Sequence, residues 1–275
     1  MVTPSPTEYR DLLGELITSW QAPGSQISIE PRNRSATTGI VVFCLTSHVY
    51  TLARAVMTLY DADHTVAAVP LVRQMIECAV TAMWTELAGE AGSQILLHQQ
   101  SRSVRTAYQE FVSAGMPADV STVRRMTEEI DESFDGSGPT RAAATHFERL
   151  CAEVAGCDFA YAMYRTASAI SHASMSVADL YLDQRDIADP TETPFVVSTS
   201  PAEYAPDSWL GMALLMTMHA TSAWSRVDTT HKDEAKMRAL QDRFGTAYDA
   251  QFTPAGLERQ TQRERELLHW RGTEQ

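Results

Sequence analysis

The chain has 275 residues, of which 44% are hydrophobic and 21% are charged, a balance that is typical of folded proteins and excludes global disorder. Its formal net charge of −13 repels phosphate backbones, so we do not expect broad binding to DNA or to nucleic acids in general. The four cysteines form no Cys-x-x-Cys pair and no apolar leader opens the chain. Free thiols and a cytoplasmic location are therefore expected.

Apolar residues recur with helical spacing along most of the chain. The predicted helices, in chain order, cover residues 7–20, 38–60, 65–87, 93–114, 118–134, 140–155, 158–182, 207–228, 232–248 and 254–270. A proline-rich excursion over 183–206 interrupts them, and its Phe195–Thr199 segment favours one short strand. We do not expect a membrane span, because the longest apolar run contains Arg73 and Glu77.

These elements predict an all-α fold, a single bundle of eight to eleven helices. We expect an N-terminal helix and loop over 1–37 and a central bundle over 38–182. A loop over 183–206 leads to C-terminal helices over 207–275, which pack on the same core. No internal repeat or long low-complexity linker divides the chain.

Polar side chains form stripes on three of the apolar helices, because residues three and four apart share a helix face. In the helix predicted over 158–182, an arginine and a histidine lie about two turns apart and face the same way. Buried charges are costly unless they are paired, so we predict that the three stripes converge on one cationic pocket. Such a pocket suits a phosphate or a carboxylate. The candidate residues are Arg54, Arg73, Glu77, Tyr161, Arg165, Ser168 and His172.

The same residues also fit a purely structural interpretation. Arg73 and Glu77 can be an ion pair that fixes the register of the helices. Arg54 can lay its stem along apolar surface, and His172 can be a hydrogen-bonded core or interface histidine. Tyr161 and Ser168 can serve packing and local hydrogen bonding.

Arg165 and His172 resemble the Arg-x(4–6)-His motif of the HEPN superfamily, small helical bundles that are often dimeric and occur in toxin–antitoxin and phage-defence systems. Many of them are metal-independent ribonucleases. The resemblance implies that His172 transfers a proton at the ribose 2′-hydroxyl and that Arg165 holds the scissile phosphate. It further implies RNA as a partner and is compatible with a homodimer.

The arginine–histidine spacing recurs in this chain in Arg141/His146, Arg226/His231 and Arg263/His269. We favour Arg165/His172 because that pair alone lies on a polar stripe of a core helix. Arg263, by contrast, lies in a charged tail helix and is predicted to belong to a solvated face.

A second resemblance covers about residues 40–185. Leu71-Val-Arg73-Gln-Met-Ile-Glu77, followed much later by Tyr164, Ser168 and Ser171-His172-Ala-Ser174, is similar to a pattern in a family of uncharacterised helical bacterial proteins. Members are similar in having an Arg-x-x-x-Glu helix and a later Ser-x-x-x-His helix. This resemblance implies that the two helices form one unit and supplies no reaction. The alternative to a ribonuclease is thus a non-catalytic helical protein that senses a small anionic ligand or binds a partner.

Several chemistries lack their motifs. The sequence has no P-loop, no dinucleotide-binding glycine fingerprint after a strand and no Gly-x-Ser-x-Gly elbow. It also lacks His-Glu-x-x-His, the Glu-x-x-His pairs of di-iron bundles and the cysteine pairs of structural zinc sites. We therefore expect neither a metal nor an organic cofactor.

Overall fold

The computed structural model describes residues 5–21, 35–115, 121, 125, 146–184, 195–230 and 232–273. Within these residues the helices are α1 (Pro6–Trp20), α2 (Ala36–Asp61), α3 (Thr65–Ser113), α4 (Phe147–Glu153), α5 (Asp158–Ser171), α6 (Met175–Asp179), α7 (Pro206–Val227), α8 (Glu234–Phe244) and α9 (Pro254–Thr273). Two three-residue strands, β1 (Leu182–Gln184) and β2 (Phe195–Val197), pair antiparallel, with Leu182 opposite Val197. The all-α prediction is confirmed, and β2 confirms the short strand in the proline-rich excursion.

Helices α2, α3 and α7 form the centre of the bundle, and each packs on the other two. Their facing sides carry fully buried apolar residues such as Val42, Ile76 and Leu214. A hydroxyl also ties two of the central helices together, because the Tyr50 hydroxyl lies 2.8 Å from Thr221 Oγ1. The apolar sequence pattern therefore buries these three helices as a unit.

Local sequence explains where several helices begin. Ser5 precedes α1 and accepts a hydrogen bond from the Glu8 amide at 3.3 Å, while Pro6 occupies the first turn. Ser35 precedes α2 and accepts from the Thr38 amide at 3.2 Å. These short side chains satisfy amides that a helix start leaves without partners.

The predicted break after residue 87 is a kink inside a longer helix. Helix α3 continues through Gly89, whose φ of 61° and ψ of −139° are not helical. Glycine tolerates this backbone because it lacks a Cβ. Pro70 lies in the second turn of α3 and does not interrupt it.

The single helix predicted over 158–182 is wrong: it is interrupted at residues 172–174, resumes as the short α6 (Met175–Asp179) and ends before β1. Helix α5 ends at Ser171, and His172 has an extended backbone with φ −112° and ψ 151°. Ser174 Oγ donates to the Ala169 carbonyl at 2.6 Å, so a side chain satisfies one of the carbonyls that the helix end exposes. The arginine–histidine pair therefore does not lie on one continuous helix.

Two other predicted helices differ from the described structure. The helix predicted over 140–155 is observed as α4, which begins at Phe147, and residues 140–145 lie outside the described residues. The helix predicted over 118–134 lies outside them too, apart from residues 121 and 125.

By length and composition, α2 and α3 are long and apolar enough to cross a membrane. Core helices of soluble proteins pass the same test. In this structure 39% of the apolar window of α2 and 50% of that of α3 are buried against other helices.

Candidate functional site

The side chain of Arg73 joins α3 to α5. Its Nε donates to Ser168 Oγ at 2.9 Å, and its Nη2 donates to the Tyr164 hydroxyl at 2.6 Å. Nη2 also lies 3.5 Å from Glu77 Oε1, one turn along α3. We call Arg73, Glu77, Tyr164 and Ser168 the Arg73 cluster. Three groups from two helices thus fix one guanidinium.

Helical spacing places the members of the Arg73 cluster. Arg73 and Glu77 are four residues apart on α3, and Tyr164 and Ser168 are four apart on α5, so each pair shares a face. Ser168 Oγ donates to the Tyr164 carbonyl at 2.7 Å while it accepts from Arg73. The serine hydroxyl is therefore oriented from both sides.

Aromatic rings pack against the Arg73 cluster. The guanidinium carbon of Arg73 lies 4.7 Å from the centroid of the Tyr164 ring, close enough for a cation–π contact. The Phe147 ring of α4 packs on Tyr164 with centroids 4.5 Å apart, and the Tyr161 ring lies 6.3 Å away. Tyr164 is consequently held by α4 as well as by its own helix.

The cluster reaches the surface of the bundle. The side chains of Arg73 and Glu77 are 22% and 34% exposed. About 100° around α3 from Arg73, Gln74 Nε2 lies 3.1 Å from His48 Nε2 of α2. Arg73 therefore faces α5, Gln74 faces α2, and Glu77 lies between them on the open side of α3.

The structure brings together only part of the predicted set. Arg73, Glu77 and Ser168 are in contact. Arg54, Arg165 and His172 are exposed, and among the described residues none of the three has a hydrogen bond or an ion pair. Tyr161 is half-buried and meets the cluster only through the Tyr164 ring.

Tyr164 belongs to the pattern that resembles the uncharacterised family, but the sequence did not place it among the candidate site residues. The signal that could have found it was its position four residues before Ser168, which puts both side chains on the face that meets Arg73. A tyrosine among apolar neighbours is expected to serve packing. Only the contact between α3 and α5 shows that the Tyr164 hydroxyl accepts a hydrogen bond from an arginine.

A second polar cluster was also missed, and it overturns the prediction of a solvated Arg263. Glu153, the last residue of α4, is 0% exposed and accepts a hydrogen bond from Trp84 Nε1 at 2.8 Å. Arg259 Nη1 of α9 lies 3.0 Å from its other oxygen, and Arg263 Nη2 bonds to the same oxygen as Trp84. Arg263 is 2% exposed and stacks over Trp84 at 4.9 Å. We call these four residues the Glu153 clamp.

For each of the other arginine–histidine pairs, the structure describes the side chain of one member. Arg226 pairs with the buried Glu86 at 3.2 Å, and His146 is exposed. Arg141, His231 and the side chain of His269 lie outside the described residues.

In chemical terms, the Arg73 cluster offers an oriented guanidinium at the surface, flanked by two hydroxyls. No group of three or more His, Cys, Asp or Glu side chains that could hold a metal occurs within the described ranges. The arrangement can bind an anionic group; proton transfer would require a side chain such as His172 from the neighbouring surface.

A protein-family model described as "Family of unknown function (DUF5677)" matches residues 39–189 of the chain. The match spans α2 through β1 and so includes the whole Arg73 cluster. It agrees with the resemblance to uncharacterised helical proteins over about residues 40–185. Searches of curated proteins and of solved structures gave no match.

Proposed function

The chain belongs to the DUF5677 family of unknown function, and we propose from the geometry of the Arg73 cluster that it binds a phosphate or carboxylate group at Arg73. The family itself implies no activity. The ligand lies on the open side of α3, between α2 and α5. The protein is then a helical ligand-sensing or partner-binding protein.

One observation carries this proposal: the guanidinium of Arg73 is already oriented and still has donors to offer. Nε and Nη2 are bound, but no hydrogen bond from Nη1 is found among the described residues. An arginine fixed in advance loses little side-chain entropy when it binds an anion.

The charges around the cluster support the same proposal. Glu77 is the one carboxylate bonded to Arg73 in the described part of the chain, and its 3.5 Å contact is long. Arg165, which follows Tyr164 on α5, is exposed and adds positive charge in a chain whose net charge is −13. A local cationic surface on an acidic protein concentrates small anions.

Isothermal titration with inorganic phosphate and with acetate tests the proposal on the wild type, Arg73→Gln and Arg238→Gln. A hydrogen bond from a charged group contributes about 1.5–3 kcal/mol, so Arg73→Gln should weaken binding about tenfold or more. Arg238 is an exposed arginine of α8 paired with Glu234 and Asp249, so it serves as the matched control. Wild-type protein that binds neither anion, or an Arg73→Gln variant that binds as tightly, refutes anion binding.

A HEPN-like, metal-independent ribonuclease is the second candidate, and with it a role as a toxin or in defence. The observation that favours it is the exposure of Arg165 and His172, because neither side chain is used in a described contact. In this reaction the ribose 2′-oxygen attacks the phosphorus and the 5′-oxygen leaves. His172 transfers the proton and Arg165 stabilises the charge on the phosphate.

RNA cleavage in the presence of a metal chelator tests this second candidate. His172→Ala should lower the rate about 10²–10⁴-fold, the usual contribution of an acid/base group. His64→Ala, at an exposed histidine before α3, is the control. The ribonuclease is excluded if the purified protein leaves varied RNAs intact or if His172→Ala cuts at the wild-type rate.

For both candidate functions, the proposal includes where the protein acts in the cell. The protein acts in the cytoplasm, and the ribonuclease candidate is compatible with a homodimer. Fractionation of cells and light scattering of the purified protein measure these two properties directly.

A further inference from the structure

Helix α4 connects the Arg73 cluster to the Glu153 clamp. It begins at Phe147, whose ring packs on Tyr164, and it ends at Glu153. Seven helical residues span about 10 Å, so the two ends lie in different parts of the bundle. A displacement of α4 along its axis would therefore change both the Phe147–Tyr164 contact and the contacts of Glu153.

At the Glu153 end, polar contacts add to the apolar packing of the buried residues Leu150, Cys151 and Val154. The Glu153 carboxylate accepts from Trp84 of α3 and from Arg259 and Arg263 of α9. The Glu153 carbonyl accepts from the Thr253 amide at 2.8 Å, immediately before α9 begins. One side chain and its own backbone thus anchor α4 to two helices at once.

The Phe147 end meets the binding side of the molecule. The Phe147 and Tyr164 rings are 4.5 Å apart at an angle of 50°. The hydroxyl of Tyr164 accepts the short hydrogen bond from Arg73 Nη2. Phe147 therefore limits the positions from which Tyr164 can hold the guanidinium.

We propose that Glu153 is a positioning residue of the Arg73 cluster, and that the docking of α9 on Glu153 sets the orientation of Arg73 through α4, Phe147 and Tyr164. The binding readout rests on the proposed function, whereas the orientation of Arg73 is measured without any ligand. Coupling between two sites is reciprocal, so an anion at Arg73 also stabilises the docking of α9.

The charge balance at the clamp explains why α9 is needed. Glu153 is completely buried, and a buried carboxylate requires a counter-charge. Arg263 supplies it from a position that is buried itself, and Arg259 supplies a second donor whose side chain is 41% exposed. If α9 left, Glu153 would be a buried charge without a counter-ion, and the end of α4 would have to move toward water.

Two variants and one control test the proposal. Glu153→Gln keeps the shape and removes the charge, but it leaves Arg263 buried and uncompensated, which can prevent folding. Arg259→Gln loosens the same clamp, and we expect it to keep the fold because the Arg259 side chain is 41% exposed and Arg263 still pairs with Glu153. Tyr50→Phe removes a buried hydrogen bond to Thr221 between α2 and α7, so it lowers stability without touching α4.

The first measurement is the exchange with water of the Arg73 Nε proton, followed by NMR and assigned by its loss in Arg73→Lys. This proton is hydrogen-bonded to Ser168 Oγ, so its exchange reports how firmly Arg73 is held. Arg259→Gln should accelerate the exchange about fivefold or more, a typical size for coupling between sites. Tyr50→Phe should leave it within about twofold.

The second measurement is the dissociation constant for inorganic phosphate, which should rise about fivefold or more in Arg259→Gln and stay near the wild-type value in Tyr50→Phe. Unchanged Arg73 exchange in Arg259→Gln, or equal acceleration in Tyr50→Phe, overturns the positioning role whatever phosphate does. Accelerated exchange in Arg259→Gln alone, in a protein that binds neither phosphate nor acetate, supports the positioning role and refutes the proposed function.

Discussion

Gly256, in the first turn of α9, lies where the backbone of α4 approaches closely. A Cβ added there would meet the Glu153 carbonyl oxygen at less than 3.0 Å and the Phe252 Cδ1 atom at 3.0 Å. The carbonyl is backbone, and its oxygen accepts from the Thr253 amide, so it cannot rotate away as a flexible side chain would. Gly256→Ala should therefore destabilise the protein.

The expected magnitude combines two opposing effects. Forcing one extra carbon into a packed contact costs about 1–3 kcal/mol. Replacing glycine by alanine in a helix returns at most about 0.5–1 kcal/mol. The free energy of unfolding should fall by about 1–2 kcal/mol, which corresponds to a lower melting temperature by about 3–6 °C for a chain of this size.

Gly14→Ala is the matched control. Gly14 lies inside α1, and an added Cβ would have the flexible end of Met57 at 3.5 Å as its nearest neighbour. That substitution should raise the melting temperature by about 1–3 °C. Calorimetry or thermal unfolding followed by circular dichroism measures both variants. A Gly256→Ala variant as stable as Gly14→Ala would refute the close packing of α9 on α4.

Three further predictions concern pH, the core and the thiols. Burial lowers the pKa of His219 to about 4, and a nearby arginine acts in the same direction, so stability should be full above about pH 6.5. The free energy of unfolding should fall by about 2–3 kcal/mol between pH 6.5 and 4. Carboxylates also titrate in this range, so the measurement is the difference in unfolding free energy between the wild type and His219→Gln at each pH. If the two proteins lose stability in parallel, His219 is not buried as described. Leu210→Ala removes a side chain that is 1% exposed and should cost about 2–5 kcal/mol in urea unfolding. Leu257→Ala, at 57% exposure, should change stability by less than about 0.5 kcal/mol, and equal losses would contradict the described core. Cys44 is exposed and should react quickly with a thiol reagent at pH 8, because no core packing blocks access to it. The other three cysteines should react slowly, because burial raises the pKa of each thiol: to about 11 for Cys78, to about 12 for Cys157, and upward for Cys151 as well. More than one rapidly reacting thiol would contradict the burial of these three cysteines.

The sequence by itself determined the class of the fold and the position of most helices. The apolar period of α2 and α7 predicts their helical structure and their burial, because this signal acts between residues a few positions apart. The polar stripe on α3 predicted a contact with α5, and Arg73 does reach Ser168 across 95 positions of sequence. Whether that contact forms a functional site stays a prediction.

Only the tertiary structure decided which polar residues are buried and which face water. Arg165 lies in a helix with few charges and Arg263 in a helix with many, yet Arg165 is exposed and Arg263 is buried. The difference comes from Glu153, which meets Arg263 from 110 positions away and has no counterpart beside Arg165 among the described contacts. Helical period places a side chain on a face, but the energy of burying a charge depends on the partner that packing brings to it. Local sequence therefore determined the helices, and long-range packing determined the chemistry of their polar faces.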